Sequence, residues 1–217
     1  MKQSKKIIIL TIITIISIIT TYIFYIINII PHKKYSNDDF NIITYRSQLD
    51  KDNDGIDDQT DILNNTRKYI KSNPKYKSKY YANGYPDDEY GVCTDVVGYG
   101  LKNAGYDLMN LVNEHIKENQ ELYDIEVIDK NIDFRRVKNL NIYFKNTAIS
   151  LTTDINKIKE WQGGDIIVFE KHIGIVSDKR NKDGIPFIIH HANPFQLHYE
   201  EDILNKREDI VAHYRIS

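Results

Sequence analysis

The chain contains the stretch Gly164-Asp165-Ile166-Ile167-Val168-Phe169 and, two residues later, His172-Ile173-Gly174-Ile175-Val176-Ser177. Short runs rich in β-branched residues and bounded by turn residues are typical of buried strands. Two further runs, Phe187–His190 and Ile210–Ile216, follow the turn Asn181-Lys182-Asp183-Gly184. The sequence therefore predicts an antiparallel sheet in its C-terminal part.

The chain before that sheet has the periodicity of helices. Its apolar residues recur at spacings of three and four, which places them on one face of a helix. We predict helices over Asp61–Ser72, Thr94–Ala104 and Leu108–Asn119, and a short helix or turn over Leu140–Asn146. Helices followed by an antiparallel sheet indicate an α+β fold, with the helices packed on the sheet.

An uncharged, isoleucine-rich segment spans residues 7–30. As a helix it is long enough to cross a hydrocarbon core of about 30 Å. Lys2, Lys5 and Lys6 precede it, and positive charge favours the cytoplasmic side. We predict a cytoplasmic stub at residues 1–6, an uncleaved single-pass anchor in the cell membrane, and an extracytoplasmic remainder. A cleaved signal peptide and a buried core helix are the alternatives.

The part after the anchor is expected to hold a linker and one domain. Residues 31–49 are polar with scattered aromatics, which predicts a juxtamembrane linker, and residues 62–217 contain the predicted helices and strands. All 31 acidic residues lie beyond residue 30, so this part is more negative than the net charge of −2 for the whole chain. That charge argues against a nucleic-acid partner. With one cysteine, an internal disulfide is excluded.

An acidic loop, residues 50–61, carries aspartates at alternate positions before Gly55. An EF-hand loop surrounds Ca²⁺ with oxygen ligands at this spacing and has glycine at its sixth position. We predict a structural calcium site or, alternatively, a solvated acidic turn that caps the next helix. The expected ligands are the side chains of Asp50, Asp52 and Asp54, the carbonyl of Ile56, and Asp58 or Asp61 as the closing carboxylate.

The single cysteine lies in Tyr90-Gly91-Val92-Cys93-Thr94-Asp95, where a glycine turn opens a predicted helix. A thiol at a helix N-terminus faces backbone N–H groups and the positive end of the helix dipole, which favour the thiolate. A cysteine with sequence-distant histidines, here His172 and the pair His190-His191, indicates a nucleophilic Cys–His site. Two other interpretations are a small buried cysteine and a zinc site of Cys93, His172 and His190.

At these residues the chain resembles the papain-like cell-wall peptidases of the NlpC type. Their pattern is a tyrosine twelve positions before the catalytic cysteine, a strand that opens with Gly-Asp, then His-Val/Ile-Gly-Ile and a third polar residue. The corresponding positions here are Tyr81, Gly164-Asp165, His172-Ile173-Gly174-Ile175 and His190. The resemblance implies a papain-like catalytic core within residues 62–217.

The resemblance also implies a role for each of these side chains. Cys93 is the expected nucleophile and His172 the general base, with Tyr81 at the oxyanion. Adjacent strand residues face opposite sides of a sheet, so only one of His190 and His191 can reach His172. We expect His190 to orient the base. Apart from the resemblance, Arg135 and Arg136 are expected either to form ion pairs that pack a loop or to bind a substrate carboxylate. Asp95, where the peptidases have a different residue, is expected to oppose the thiolate or to bind a substrate ammonium, and His191 is a further candidate for a substrate contact.

The chain is also similar to a bacterial family catalogued as domain of unknown function 1287, over most of residues 50–217. The shared segments are Gly91–Val96, Asn131–Val137, Gly164–Ile166, His172–Asp178 and His213–Arg215. The expected reaction comes from the peptidase resemblance: a cysteine amidohydrolase, without a catalytic cofactor, acting on amide bonds of peptidoglycan peptides. The alternatives are a non-catalytic cell-surface binding module with the same fold and an acyl transferase that uses the same thiol.

Overall fold

The computed structural model describes residues 2–216 and begins with a long helix, α1, Lys2–Ile26. Its apolar side chains are exposed along the whole helix. Among the described residues it is the one helix long and apolar enough to cross a membrane, a property that an N-terminal signal sequence shares. The alternative of a buried core helix is excluded, because none of this span is buried inside the protein.

Residues 31–49 pack against the domain, which corrects the prediction of a juxtamembrane linker. Tyr35 forms an antiparallel bridge with Arg180 through two backbone hydrogen bonds of 2.9 Å. The buried side chain of Asn37 accepts a hydrogen bond of 2.6 Å from Nε of Arg180. The polar side chains of this segment are therefore partners for buried groups of the domain, and composition alone does not distinguish that role from a solvated linker.

Shorter helices follow, and all except the short α5, which the sequence did not predict, lie close to the expected positions. They are α2 (Asp58–Ile70), α3 (Cys93–Lys102), α4 (Leu108–Glu118), α5 (Lys130–Asp133) and α6 (Val137–Thr147). The side chain of Asp57 caps α2 by accepting a hydrogen bond from the N–H of Thr60 at 3.1 Å. Short 3₁₀ turns lie at Asp38–Phe40, Gln120–Leu122 and Leu204–Lys206.

The strands confirm the predicted antiparallel sheet. A separate parallel pair comes first, β1 (Lys75–Tyr76) with β2 (Tyr90–Gly91), directly before α3. The main strands are β3 (Ile149–Leu151), β4 (Ile166–Phe169), β5 (His172–Arg180), β6 (Pro186–Ile189), β7 (Glu200–Glu201) and β8 (Ile210–Arg215). Their order in the sheet is β3-β8-β4-β5-β6-β7, and every neighbouring pair is antiparallel.

The sheet buries apolar side chains on both faces. On one face, Ile173 and Ile175 of β5 belong to the core formed with α3. On the opposite face, Val176 belongs to a second core around Trp161. Side chains alternate between the faces of a strand, so His172 shares the face of Val176. The molecule is an α+β structure with helices packed on an antiparallel sheet.

Candidate functional site

Cys93 is the first residue of α3 and follows Val92, which is extended. Its thiol is partly buried and faces the backbone N–H groups of Ile173 on β5 and of Thr94 in the first helical turn. Burial raises the pKa of Cys93 to about 11, and these N–H groups oppose the rise only in part. The expected thiolate at the helix terminus is therefore corrected to a thiol, because loss of water outweighs the helix dipole.

A buried ion pair holds the first turn of α3. Nε and Nη2 of Arg135 donate to the two carboxylate oxygens of Asp95 at 2.7 and 2.9 Å, and neither side chain is more than 2% exposed. Asp95 also accepts from the N–H of Val92 at 2.8 Å, and Arg135 donates to the carbonyl of Lys79 at 2.6 Å. The prediction that Asp95 and Arg135 contact substrate is corrected, since each is the other's partner in the interior.

Two histidines and a glutamate form a line of hydrogen bonds across the sheet. Nε2 of His172, at the start of β5, lies 2.9 Å from Nδ1 of His190, which directly follows β6. Nε2 of His190 lies 3.1 Å from the carboxylate of Glu201 on β7. The structure thus brings together His172 and His190, and it is His190 and not His191 that meets the first histidine.

The register of the sheet explains this contact. Gly174 lies where a Cβ would come within 2.8 Å of Cγ2 of Ile188 and 3.2 Å of Cβ of His190. Because Gly174 has no side chain, the ring of His172, two residues earlier on the same face, can reach across to His190. Ile188 pairs with Glu201, which places the carboxylate on that face as well.

The hydrogen bonds determine which ring nitrogens of His172 and His190 carry a proton. An ionised Glu201 only accepts, so His190 donates from Nε2 and accepts at Nδ1. His172 then donates from its Nε2, and its Nδ1 keeps a free lone pair. A protonated Glu201 reverses every bond and leaves a proton on Nδ1 of His172. The ionisation of Glu201 therefore decides whether His172 can act as a base.

The histidines of this line are neutral, and the glutamate titrates near neutrality. Burial, followed by the neighbouring His190 and Arg207, lowers the pKa of His172 to about 3. Burial also lowers the pKa of His190. Burial raises the pKa of Glu201 to about 7, and the strongest opposing group is His198. Glu201 lines a cavity of about 460 Å³.

The thiol and the first histidine lie on opposite faces of the sheet: Cys93 packs with Ile173 on the α3 face, and His172 shares the other face with Val176. Cys93 faces the N–H of Ile173, the residue after His172, and among the described residues no hydrogen bond joins Sγ to the imidazole. The zinc interpretation does not fit, because His172 and His190 use the nitrogens that face each other in their own hydrogen bond.

The hydroxyl of Tyr81 has a different partner from the one predicted. It donates to Oδ1 of Asp88 at 2.7 Å, and the guanidinium of Arg135 lies over its ring, 5.0 Å from the centroid. A phenol has one proton to donate, so the prediction that Tyr81 binds the oxyanion is corrected. The backbone N–H groups at the start of α3 are the donors beside the thiol.

The last two predicted substrate contacts, His191 and Arg136, differ in exposure. His191 is buried between the rings of Tyr76 and Tyr199, with centroid distances of 5.2 and 5.0 Å. This enclosure corrects the prediction for His191, whose Nδ1 is buried without a hydrogen-bond partner. The side chain of Arg136 is 60% exposed and lies 3.7 Å from Asp133, so solvent reaches it.

The acidic loop brings three of its predicted ligands together. Their carboxylate oxygens lie within 4.8 Å of one another, and the three residues, all exposed, are Asp50, Asp52 and Asp54. Asp58 lies apart from them: it is buried and accepts from a backbone N–H of the loop at 2.7 Å and from the hydroxyl of Tyr106. The prediction of Asp58 as a ligand is therefore corrected.

Sequence reasoning missed Glu201 and the side chain that holds it, Gln196. Nε2 of Gln196 lies 3.2 Å from the carboxylate of Glu201 and 2.7 Å from the carbonyl of His198. The available signal was an acidic pair, Glu200-Glu201, in a segment too short to predict as a strand. Its role follows from strand pairing across the loop after β6, which periodicity does not reveal.

Two comparisons with known proteins found a match. Residues 63–216 match the family described as Domain of unknown function (DUF1287). The chain is 36% identical over 152 residues to "Uncharacterized protein YijF" of Escherichia coli (strain K12), an alignment that covers 65% of this chain and 72% of that protein. No solved structure matches the chain. The matched residues include the thiol, both histidines of the line and Glu201, and the chain belongs to the DUF1287 family.

Proposed function

We propose that this protein is a membrane-anchored cysteine amidohydrolase with a papain-like core, acting on peptide amide bonds of the cell wall outside the cytoplasm. The supporting observation is the line Glu201–His190–His172, which ends one residue from the N–H that the thiol of Cys93 faces. A nucleophile, a base and a group that orients the base are what such a reaction needs. The substrate class comes from the resemblance to NlpC-type peptidases.

The first step starts from neutral groups, since the pKa of Cys93 is about 11 and that of His172 about 3. Nδ1 of His172 takes the thiol proton as the sulfur attacks the amide carbon, so the free protein needs no resting ion pair. Catalytic hydrogen bonds are often long in ligand-free proteins and shorten when substrate binds. The reaction also requires that substrate binding bring the ring of His172, at the first position of β5, round to the face of the sheet that carries the thiol.

The remaining steps return every proton. The oxyanion of the tetrahedral intermediate accepts hydrogen bonds from the backbone N–H groups of Cys93 and Thr94. The imidazolium of His172 then protonates the leaving amine, the C–N bond breaks, and a thioester remains on the sulfur. Water, deprotonated by His172, attacks the thioester and releases a carboxylic acid and the thiol. His190 and Glu201 stabilise the imidazolium in both halves of the reaction.

Turnover of purified cell-wall peptide by the full-length protein in detergent tests this proposal, with new amino groups as the readout. Cys93→Ala and His172→Gln are expected to remove turnover and to keep the far-UV circular dichroism of the wild type. His115→Gln is the matched control, because this histidine bonds to Tyr123 and takes no part in the line. Turnover by Cys93→Ala at the wild-type rate overturns the proposal.

A non-catalytic binding module is the second candidate, and the high pKa of the thiol favours it. Alkylation by iodoacetamide separates the two, since the thiolate is the reacting form. If His172 takes the proton of Cys93, His172→Gln slows alkylation of the folded protein. Equal rates in the wild type and in His172→Gln support the module.

A further inference from the structure

The acidic loop folds around its own carboxylates. Gly55 has a φ of +90°, a conformation that residues with a side chain rarely adopt. Its N–H donates to Asp50 at 2.9 Å, and the N–H of Ile56 donates to Asp54 at 2.8 Å. Each carboxylate oxygen has more than one lone pair, so these bonds leave room for a further partner on the side where the three aspartates converge.

Asp61, in the first turn of α2, provides an independent observation. It is 5% exposed, and its Oδ2 is buried without a hydrogen-bond partner. An unpaired buried carboxylate oxygen is costly in free energy. Asp61 is the twelfth residue of the loop that begins at Asp50, the position at which a carboxylate closes an EF-hand loop.

We propose a calcium site whose protein ligands are Asp50, Asp52, Asp54, Asp61 and the carbonyl of Ile56. Calcium takes six to eight oxygen ligands at 2.3–2.6 Å in flexible geometry. The carboxylate oxygens of Asp50, Asp52 and Asp54, which lie within 4.8 Å of one another, match three ligands around one such ion. Magnesium prefers an octahedron at 2.0–2.1 Å and keeps several waters, so a loop dense in carboxylates favours calcium.

The site joins two helices. The loop packs against Gly105, just beyond α3, where a Cβ would come within 2.8 Å of Cγ of Lys51. The closing ligand Asp61 belongs to α2, which packs along α3. Calcium therefore stabilises the packing of α2 on the helix that carries Cys93 at its other end. This role stands independently of the proposed hydrolysis.

Thermal unfolding of the full-length protein in detergent tests the site, first after removal of calcium with EGTA and then with added CaCl₂. The melting temperature is expected to rise by about 5–10 °C at a calcium concentration about a hundredfold above Kd, and by less with MgCl₂. Asp54→Asn removes the rise. Asp124→Asn keeps it, since this aspartate is 88% exposed and pairs with Lys138, away from the loop.

Asp61→Asn is expected to change the melting temperature differently with and without calcium, which a general effect of charge does not produce. Without calcium it melts above the wild type, because an unpaired buried charge is gone, and with calcium it shows no further rise. Calorimetric titration of the wild type with CaCl₂ gives one ion per chain. A wild-type melting temperature that CaCl₂ leaves unchanged, or a full calcium response in Asp61→Asn, overturns the proposal.

Discussion

Glu201 lies at the far end of the hydrogen-bonded line and still determines the tautomer of His172. As a carboxylate it only accepts, so every proton of the line points toward it. Gln196 fixes its position through a hydrogen bond of 3.2 Å. The chemistry of the first histidine is thus decided by a residue that it does not touch.

Glutamine at position 201 removes this control. Its amide can donate to Nε2 of His190, which reverses the line and leaves a proton on Nδ1 of His172. We expect Glu201→Gln to lower the turnover of the proposed hydrolase by about 10²- to 10⁴-fold. Glu208→Gln, an exposed glutamate nearby, is the control and should keep the wild-type rate. Nitrogen-15 NMR of the two rings reports the reversal without a substrate; unchanged tautomers in Glu201→Gln contradict the assignment.

The pH dependence of the protein follows from the same carboxyl. Its pKa is about 7 in the folded protein against an ordinary value of 4.5, so the folded state keeps a proton that the unfolded state loses between these values. The stability from this group is complete below about pH 4.5 and is lost as the pH rises through 7. The turnover of the proposed hydrolase is expected to change in the opposite direction, because a basic His172 needs the ionised form of Glu201.

We therefore expect an acidic limb near pH 7 in the rate profile, together with a fall in the free energy of unfolding from pH 4.5 to 7. Both should weaken in Glu201→Gln, which does not titrate. Urea unfolding and initial rates measured across this range check the two effects. A rate profile of Glu201→Gln with the same acidic limb assigns that limb to another group.

At the scale of elements, α3 is held by the pair Asp95–Arg135 at its first turn. Asp95→Asn keeps the shape but leaves the guanidinium buried without its counter-charge, which typically costs about 3–5 kcal/mol. The free energy of unfolding from urea denaturation is the measurement. Lys138→Met, which breaks the surface pair with Asp124, is the control and should change little. A loss in Asp95→Asn as small as in that control contradicts the role assigned to the pair.

The helices and the longer strands were predictable, because each has one or two apolar faces that repeat at its own period. Cys93 and His172 were found because they open such elements. The strand β7 has two residues, Glu200 and Glu201, and two residues carry no period. Asp95 pairs with Arg135 from a distant segment, and Tyr81 bonds to Asp88 within the irregular loop before β2. Neither contact follows from the periodicity of a helix or a strand.

At the scale of the whole molecule, residues 31–49 complete the fold. Arg180 is buried and bonds to Asn37 and to three backbone carbonyls. A variant that begins at residue 31 is expected to melt close to the full-length protein. One that begins at residue 50 removes a partner from a buried guanidinium and should unfold at a lower temperature or fail to fold. Equal melting temperatures of the two shortened chains contradict this role.

The boundary between anchor and domain illustrates what single-sequence reasoning omits. Polar composition predicted a linker because it describes residues by their preference for water. The structure instead uses Asn37 as an acceptor for Arg180, far away in sequence. The three converging aspartates were placed correctly because their contacts lie within one short loop, whereas Asp58 was misassigned because its partner, Tyr106, comes from another part of the chain.

The close attachment of residues 31–49 has a consequence for where the protein can work. The ring of Tyr25 in α1 stacks on His32 at 3.9 Å, and His32 is bonded to Asp202 of the domain. A flexible tether of the length of residues 31–49 would reach about 25 Å from its origin. Here these residues are instead held against the domain. With α1 in a bilayer, these contacts hold the domain at a fixed distance from the lipid headgroups. For a protein anchored in this way, a substrate of the proposed hydrolase has to reach the bilayer surface, because residues 31–49 do not act as an extended tether.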